Sequence, residues 1–169
     1  MWIHFYILIV MKSKQINISI TILHKSELNG FDSLLVDAAK QATLRSYAPY
    51  SEFYVGASVL LDNGIIVVGS NQENVAYPSG MCAERTAMFY ANSQYPDVGV
   101  DTLCIAARAK DGTFTRKPIS PCGACRQVLL ETERRYGKNI RILLCGEDVI
   151  YCIHSVSDLL PIQFDSMIL

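Results

Sequence analysis

Hydrophobic residues along this chain recur with two periods, and the switches between them outline the fold. Over residues 16–23, β-branched residues alternate with polar ones, as they do along an edge strand. The Asn29-Gly30 pair interrupts that run. Over residues 31–46 apolar side chains return at helical spacing, at Leu34, Leu35, Ala38, Ala39 and Ala42. Residues 55–61 and 65–69 are rich in β-formers and flank Asp62-Asn63-Gly64, so the spacing predicts an antiparallel hairpin. Residues 81–93 read as a helix, 102–107 as a buried strand, 121–135 as a further helix and 140–145 as another strand. Such alternation favours helices packed on a sheet with parallel neighbours. The last strand, residues 149–154, follows after only Gly146-Glu147-Asp148, a link that permits only an antiparallel return. The pattern therefore predicts an α/β domain of three layers, α/β/α, around a mixed five-stranded sheet.

Composition narrows the class. The chain has 169 residues, 50% hydrophobic and 18% charged, with no internal repeat or linker long enough to separate domains. A chain of this size hides ~70% of the surface its unfolded form exposes, which excludes a staple-dependent miniprotein and a disordered chain. Fifteen basic residues against sixteen acidic give a net charge of −1, with a pI near 6.3. The basic footprint that binding a nucleic-acid polymer requires is missing. The first ten residues, MWIHFYILIV, are apolar like a signal sequence, but no basic residue precedes the run, no small-residue cleavage site follows it, and it is short of a membrane span. They read as an accessory segment, and Met11 followed by Lys-Ser-Lys would make an ordinary start, with residues 1–10 upstream of it.

The six cysteines, at 82, 104, 122, 125, 145 and 152, are too few for a disulfide-dense fold and include a Cys-x-x-Cys spacing. In a reducing compartment such as the cytoplasm that spacing points to metal or redox chemistry. Ser120 is a good N-cap and Pro121 fits the first helical position, which puts Cys122 and Cys125 on one face of an opening helical turn. Cys82, two residues after Gly80, stands in the mirrored place at the start of the other helix. Helix N-termini stabilise thiolates, so two such helices aimed at each other make a zinc site. Three protein ligands leave one tetrahedral position open, the mark of a catalytic zinc, and water there is acidified toward a pKa of ~7. Glu84 points off the ligand face but is long enough to arch over the open side, as a proton carrier and not a ligand. Three thiolates and one Zn²⁺ sum to −1, so something must compensate. Arg85, on the helical face of Cys82, is placed to donate hydrogen bonds to the sulfurs, with Arg126, beside Cys125, as its competitor.

Cys82-Ala83-Glu84 followed by Pro121-Cys122-Gly123-Ala124-Cys125 resembles the three-cysteine form of the zinc deaminase signature. The resemblance extends to Tyr47-Ala48-Pro49-Tyr50-Ser51-Glu52-Phe53-Tyr54-Val55-Gly56-Ala57, to Gly69-Ser70-Asn71-Gln72-Glu73-Asn74-Val75-Ala76-Tyr77, and to Leu159-Leu160-Pro161-Ile162-Gln163-Phe164. These blocks, spanning about residues 31–165, resemble the small homotetrameric cytidine deaminases. The resemblance implies a cytidine-deaminase-like catalytic domain over residues 31–169, preceded by an accessory segment, residues 1–30, with a possible edge strand. It implies zinc on Cys82, Cys122 and Cys125, with Glu84 catalytic. Asn71 and Glu73 would bond the ribose hydroxyls, Phe53 would stack on the pyrimidine, and the backbone of Ala83 would hold the base edge. Phe164 would complete the pocket of a neighbouring subunit. The implied activity is hydrolytic deamination of free cytidine and deoxycytidine in pyrimidine salvage, in the cytoplasm, with neither a nucleic-acid polymer nor a membrane as partner.

Other readings of the same residues stand beside these. Cys122 and Cys125 could be a redox pair, and Cys104, Cys145 or His154 could close a structural zinc site, though a cysteine within a strand is usually a small core residue. Asn71 and Glu73 could be turn residues and Phe53 plain core. Tyr50 and Tyr77 read as packing or subunit-interface residues, and His24 as a surface or core histidine. A relative acting on an aminonucleoside antibiotic would share the three-cysteine site.

Overall fold

A computed structural model describes residues 12–164 of the chain, so the apolar run at residues 1–10 lies outside the described residues. The elements, in chain order, are β1 (Thr21–His24), α1 (Gly30–Ala42), β2 (Tyr54–Leu61), β3 (Ile66–Ser70), α2 (Ala83–Gln94), β4 (Val100–Arg108), α3 (Gly123–Tyr136), β5 (Arg141–Cys145) and β6 (Val149–Ile153). The strands form one mixed sheet in the order β1-β6-β5-β4-β2-β3. Only β4 and β5 run parallel; every other neighbouring pair is antiparallel, including the β2/β3 hairpin and the β5/β6 return.

The sheet has six strands where the periodicity predicts five, because the edge strand of the N-terminal segment joins it. Thr21 pairs with Cys152 and His24 with Val149. This strand starts at Thr21 and not at residue 16, since β6 ends at Ile153 and offers no further ladder. Helix α1 begins after Asn29, whose side chain accepts from the Asp32 N–H at 2.8 Å, and gives way at Thr43 to a short 3-10 turn.

Alternation along the central strands separates two cores. On one face α1 buries Leu35, Val36 and Ala39 against Cys104, Ala106, Leu143 and Ile150. On the other, α2 and α3 bury Ala87, Met88, Leu129 and Leu130 against Leu103, Ile105, Ile142 and Leu144. Three layers result. Helix α2 packs on β3 and β2 and leads by a short link into β4, and α3 packs beside α2 and on β4 and leads into β5. Because β4 and β5 are parallel, both helices start at the same end of the sheet, the usual place for a site in such an arrangement.

Candidate metal centre and active site

Cys82 and Cys122 are the N-cap residues of α2 and α3, both with extended backbones (φ −72°, ψ 152° and φ −66°, ψ 166°). Cys125 lies three residues into α3 and shares the face of Cys122. The expected cap on Ser120 is not made. Helix α3 begins at Gly123, so that a thiol and not a hydroxyl stands at its positive end, and the Ser120 hydroxyl accepts from Arg126 at 3.0 Å.

All three sulfurs lie within 4.8 Å of one another, and Cys82 Sγ is 3.8 Å from Cys122 Sγ. Thiolates bound tetrahedrally to one zinc at about 2.3 Å stand about 3.8 Å apart, so the donor set and its spacing fit zinc. No fourth histidine, cysteine or carboxylate joins the cluster among the described residues. Cys104 and Cys145, with sulfurs 3.3 Å apart, are buried on the opposite face of the sheet beneath α1, and His154 is exposed. None of these three closes the site.

The sulfurs differ in acidity. Cys82 is drawn down to about 5, first by its hydrogen bond with Cys125 and also by the Arg85 guanidinium. Cys125, the other half of that bond, is pushed up. Arg85 Nη2 donates to Cys82 Sγ at 3.7 Å. Arg126 is occupied elsewhere, donating to the carbonyls of Pro121 (2.9 Å) and Leu159 (3.0 Å), so Arg85 is the arginine that reaches the sulfurs. Glu84, in the first turn of α2, is 5% exposed, and burial raises its pKa above the ordinary carboxylate range. It adjoins Cys82 and Cys125 without joining the sulfur cluster.

A cavity of about 510 Å³ opens from Cys82 and Arg85 toward Asn71, Glu73, Ser51 and Tyr50. The Asn71 amide is engaged with β2 and the loop before it: Oδ1 accepts from the Val55 N–H at 2.8 Å, and Nδ2 donates to the Phe53 carbonyl at 2.9 Å. Glu73 accepts from the backbone N–H groups of Tyr50 (2.9 Å) and Ser51 (3.2 Å) and from the Ser51 hydroxyl, which lowers its pKa. The fold thus brings Cys82, Arg85, Asn71 and Glu73 to one cavity. Ala83 is fully buried at the first position of α2, and Phe53 is half-exposed on the loop that Asn71 and Glu73 hold. Phe164 is 76% exposed and does not line this cavity; its carbonyl is tied to Gln127 of α3 at 2.9 Å. Ser51 is the residue that sequence reasoning left without a role. Its spacing from Phe53, two residues on, was the available signal, because a serine hydroxyl often accepts from that backbone N–H in a turn. Tyr50 and Tyr77 pack edge to face at the cavity, with centroids 6.4 Å apart.

Residues 30–137 match the family model for the cytidine and deoxycytidylate deaminase zinc-binding region. The chain belongs to this family. It is 44% identical over 98 residues to a cytidine deaminase of Halalkalibacterium halodurans, covering 58% of this chain and 69% of that one. With a cytidine deaminase of Sporosarcina psychrophila the identity is 46% over 97 residues, covering 57% and 66%. Among solved structures, cytidine deaminase from Burkholderia pseudomallei superposes with a TM-score of 0.66 at 36% identity, over 78% of this chain and 98% of that one. The deaminase fold and its zinc-binding region are therefore shared.

Proposed function

We propose that the chain catalyses the hydrolytic deamination of free cytidine and deoxycytidine to uridine and deoxyuridine, with release of ammonia. The observation that carries this reading is a cluster of three closely spaced sulfurs beside the buried Glu84 carboxylate, one of which, on Cys82, lines the same cavity as Asn71 and Glu73. Cys82, Cys122 and Cys125 would hold zinc, which when bound acts as a Lewis acid and lowers the pKa of water toward ~7. Glu84 accepts the proton of the attacking water and delivers it to N3 of the pyrimidine while the oxygen adds to C4. Glu84 then takes the proton of the new C4 hydroxyl and gives it to the amino group, so that the C4 carbonyl forms as the C–N bond breaks and ammonia leaves. Burial suits Glu84 to both transfers, because a raised pKa brings its two protonation states closer in energy near neutral pH. Arg85 offsets the negative charge of the thiolates, Asn71 and Glu73 bind the sugar hydroxyls, Phe53 stacks on the base, and the backbone of Ala83, at the start of α2, holds the base edge.

The exposed ring of Phe164, tethered away from its own cavity, supports a role in the pocket of a neighbouring subunit within a homotetramer. The cysteines are all free, which fits a reducing cytoplasm and a part in pyrimidine salvage. No helix among the described residues is long and apolar enough to cross a membrane.

Ultraviolet absorbance loss with cytidine, deoxycytidine and a blasticidin-type aminonucleoside, alongside zinc measured per chain, tests the reading. Stoichiometric zinc with turnover of both cytidines is expected. Turnover of the aminonucleoside alone would move the substrate class, and zinc-free protein with a Cys122–Cys125 disulfide would replace the reaction by redox chemistry.

A further inference from the structure

One hydroxyl group stands between Glu73 and Phe53. Ser51 Oγ donates to Glu73 Oε1 and accepts from the backbone N–H of Phe53 at 3.1 Å. The loop it ties down runs through Glu52, which has a left-handed backbone (φ 52°) and is the one non-glycine residue with positive φ among those described. A glutamate persists in that conformation only where its surroundings over-determine it. Here the Ser51–Glu73 contacts secure one side of the loop, and Lys110 Nζ, 2.5 Å from the Glu52 carboxylate, secures the other. Behind Glu73 the chain is equally fixed. The Glu73 N–H donates to the Tyr47 carbonyl at 2.8 Å, and Gln72 exchanges two 2.8 Å backbone bonds with Met81, the neighbour of Cys82. Backbone hydrogen bonds thus connect the Phe53 loop, through Glu73, to the residue beside the metal ligand.

An ionised carboxylate offers about four acceptor positions. The loop fills three on Glu73, through the N–H groups of Tyr50 and Ser51 and the Ser51 hydroxyl, and one remains for an outside donor. We infer that Ser51 is a positioning residue for substrate binding: it orients the Glu73 carboxylate toward a sugar hydroxyl and holds the Phe53 backbone at a set distance from it, so that sugar and base are read by one unit. The inference rests on the nucleoside reading above. Without the hydroxyl, the carboxylate loses its charge-assisted donor and turns, and the Phe53 N–H loses its acceptor.

The test is Ser51→Ala in the full-length zinc-loaded protein, assayed with cytidine and with 2′,3′-dideoxycytidine, which lacks the hydroxyls Glu73 would receive. The KM for cytidine should rise roughly tenfold, the scale of a hydrogen bond to a charged group, with kcat within about threefold of wild type. For dideoxycytidine, kcat/KM should fall by no more than about threefold, through the loosened Phe53 backbone alone, because the lost carboxylate orientation serves a contact this substrate never makes. Ser51→Thr, which keeps the hydroxyl, should restore the KM for cytidine, and zinc content should not change. If Ser51→Ala does not fold, Ser51→Cys, similar in size with a weak donor, carries the same comparison. Equal kcat/KM losses for both substrates, a loss confined to kcat, or no change would overturn the inference. If wild-type protein itself treats cytidine and dideoxycytidine alike, the assignment of Glu73 to the sugar fails instead.

Discussion

Gly69, in β3, carries no chemistry, yet replacing it with alanine should damage the metal centre. A Cβ built there would lie 2.5 Å from the backbone nitrogen of Ala87 and 2.6 Å from the carbonyl oxygen of Ala83, where ordinary contact begins at 3.4 Å. Both opposing atoms belong to the backbone of α2, so no change of rotamer relieves the clash; the helix must retreat by about 1 Å. Overpacking of this kind costs ~1–3 kcal/mol, and an immovable backbone places Gly69→Ala at the upper end. For a chain of this length, 3 kcal/mol is about 6–12 °C in Tm. Ala83 directly follows Cys82, so the same retreat spreads Cys82 from Cys122 and Cys125. A misplacement of about 1 Å is enough to cost on the order of 100-fold in rate. Calorimetry, zinc analysis and cytidine turnover of Gly69→Ala measure the three consequences. Gly30→Ala is the control: nothing lies within 4 Å of its added Cβ at the start of α1, and such a change stabilises by about 0.4–1 kcal/mol where the backbone is compatible. If Gly69→Ala melted within about 2 °C of wild type and kept its zinc and rate, the close approach of β3 to α2 would be refuted.

Other substitutions separate the parts of the site. Glu84→Gln keeps the size of the side chain but not the proton carrier, so zinc should stay near wild type while turnover falls by ~10²–10⁴ or more; activity within a few-fold would remove Glu84 from the chemistry. Cys122→Ala should lose zinc and stability, and Cys104→Ala, on the opposite face of the sheet, should keep both zinc and activity; the reverse pattern would show the ligands to be misassigned. Arg85→Ala should retain most of its zinc and turn over more slowly, with a deficit that narrows as pH rises and hydroxide forms more easily; a profile parallel to wild type on the alkaline side would rule out a role through the sulfurs. Phe164→Ala should raise KM in a homotetramer seen by light scattering, and a fully active monomer would take Phe164 out of the site.

The cluster of three sulfurs was legible in the linear sequence because its parts are local. Cys122 and Cys125 need only one helical turn to share a face, and Cys82 and Glu84 only the start of another, so residue spacing and helix periodicity determine them. The strands were legible for the same reason: alternation and turn residues act over a few positions, as the β2/β3 hairpin at Asp62-Asn63-Gly64 shows. Questions of which distant groups meet were decided by the tertiary structure alone. Thr21 found β6 only because the sheet left that edge open, which made six strands of five. Spacing puts Arg85 on the helical face of Cys82 but leaves Arg126, beside Cys125, as a competitor, and packing shows that the Leu159 carbonyl occupies Arg126 while Arg85 donates to Cys82. Ser51 and Glu73 are 22 positions apart, and no periodicity links two loops across that distance; their hydrogen bond exists because backbone pairing of residues 71–73 with Tyr47 and Met81 brings the loops together. Sequence by itself settles what short-range geometry dictates, whereas contacts between remote segments depend on how the layers close around the core, a property of the whole chain.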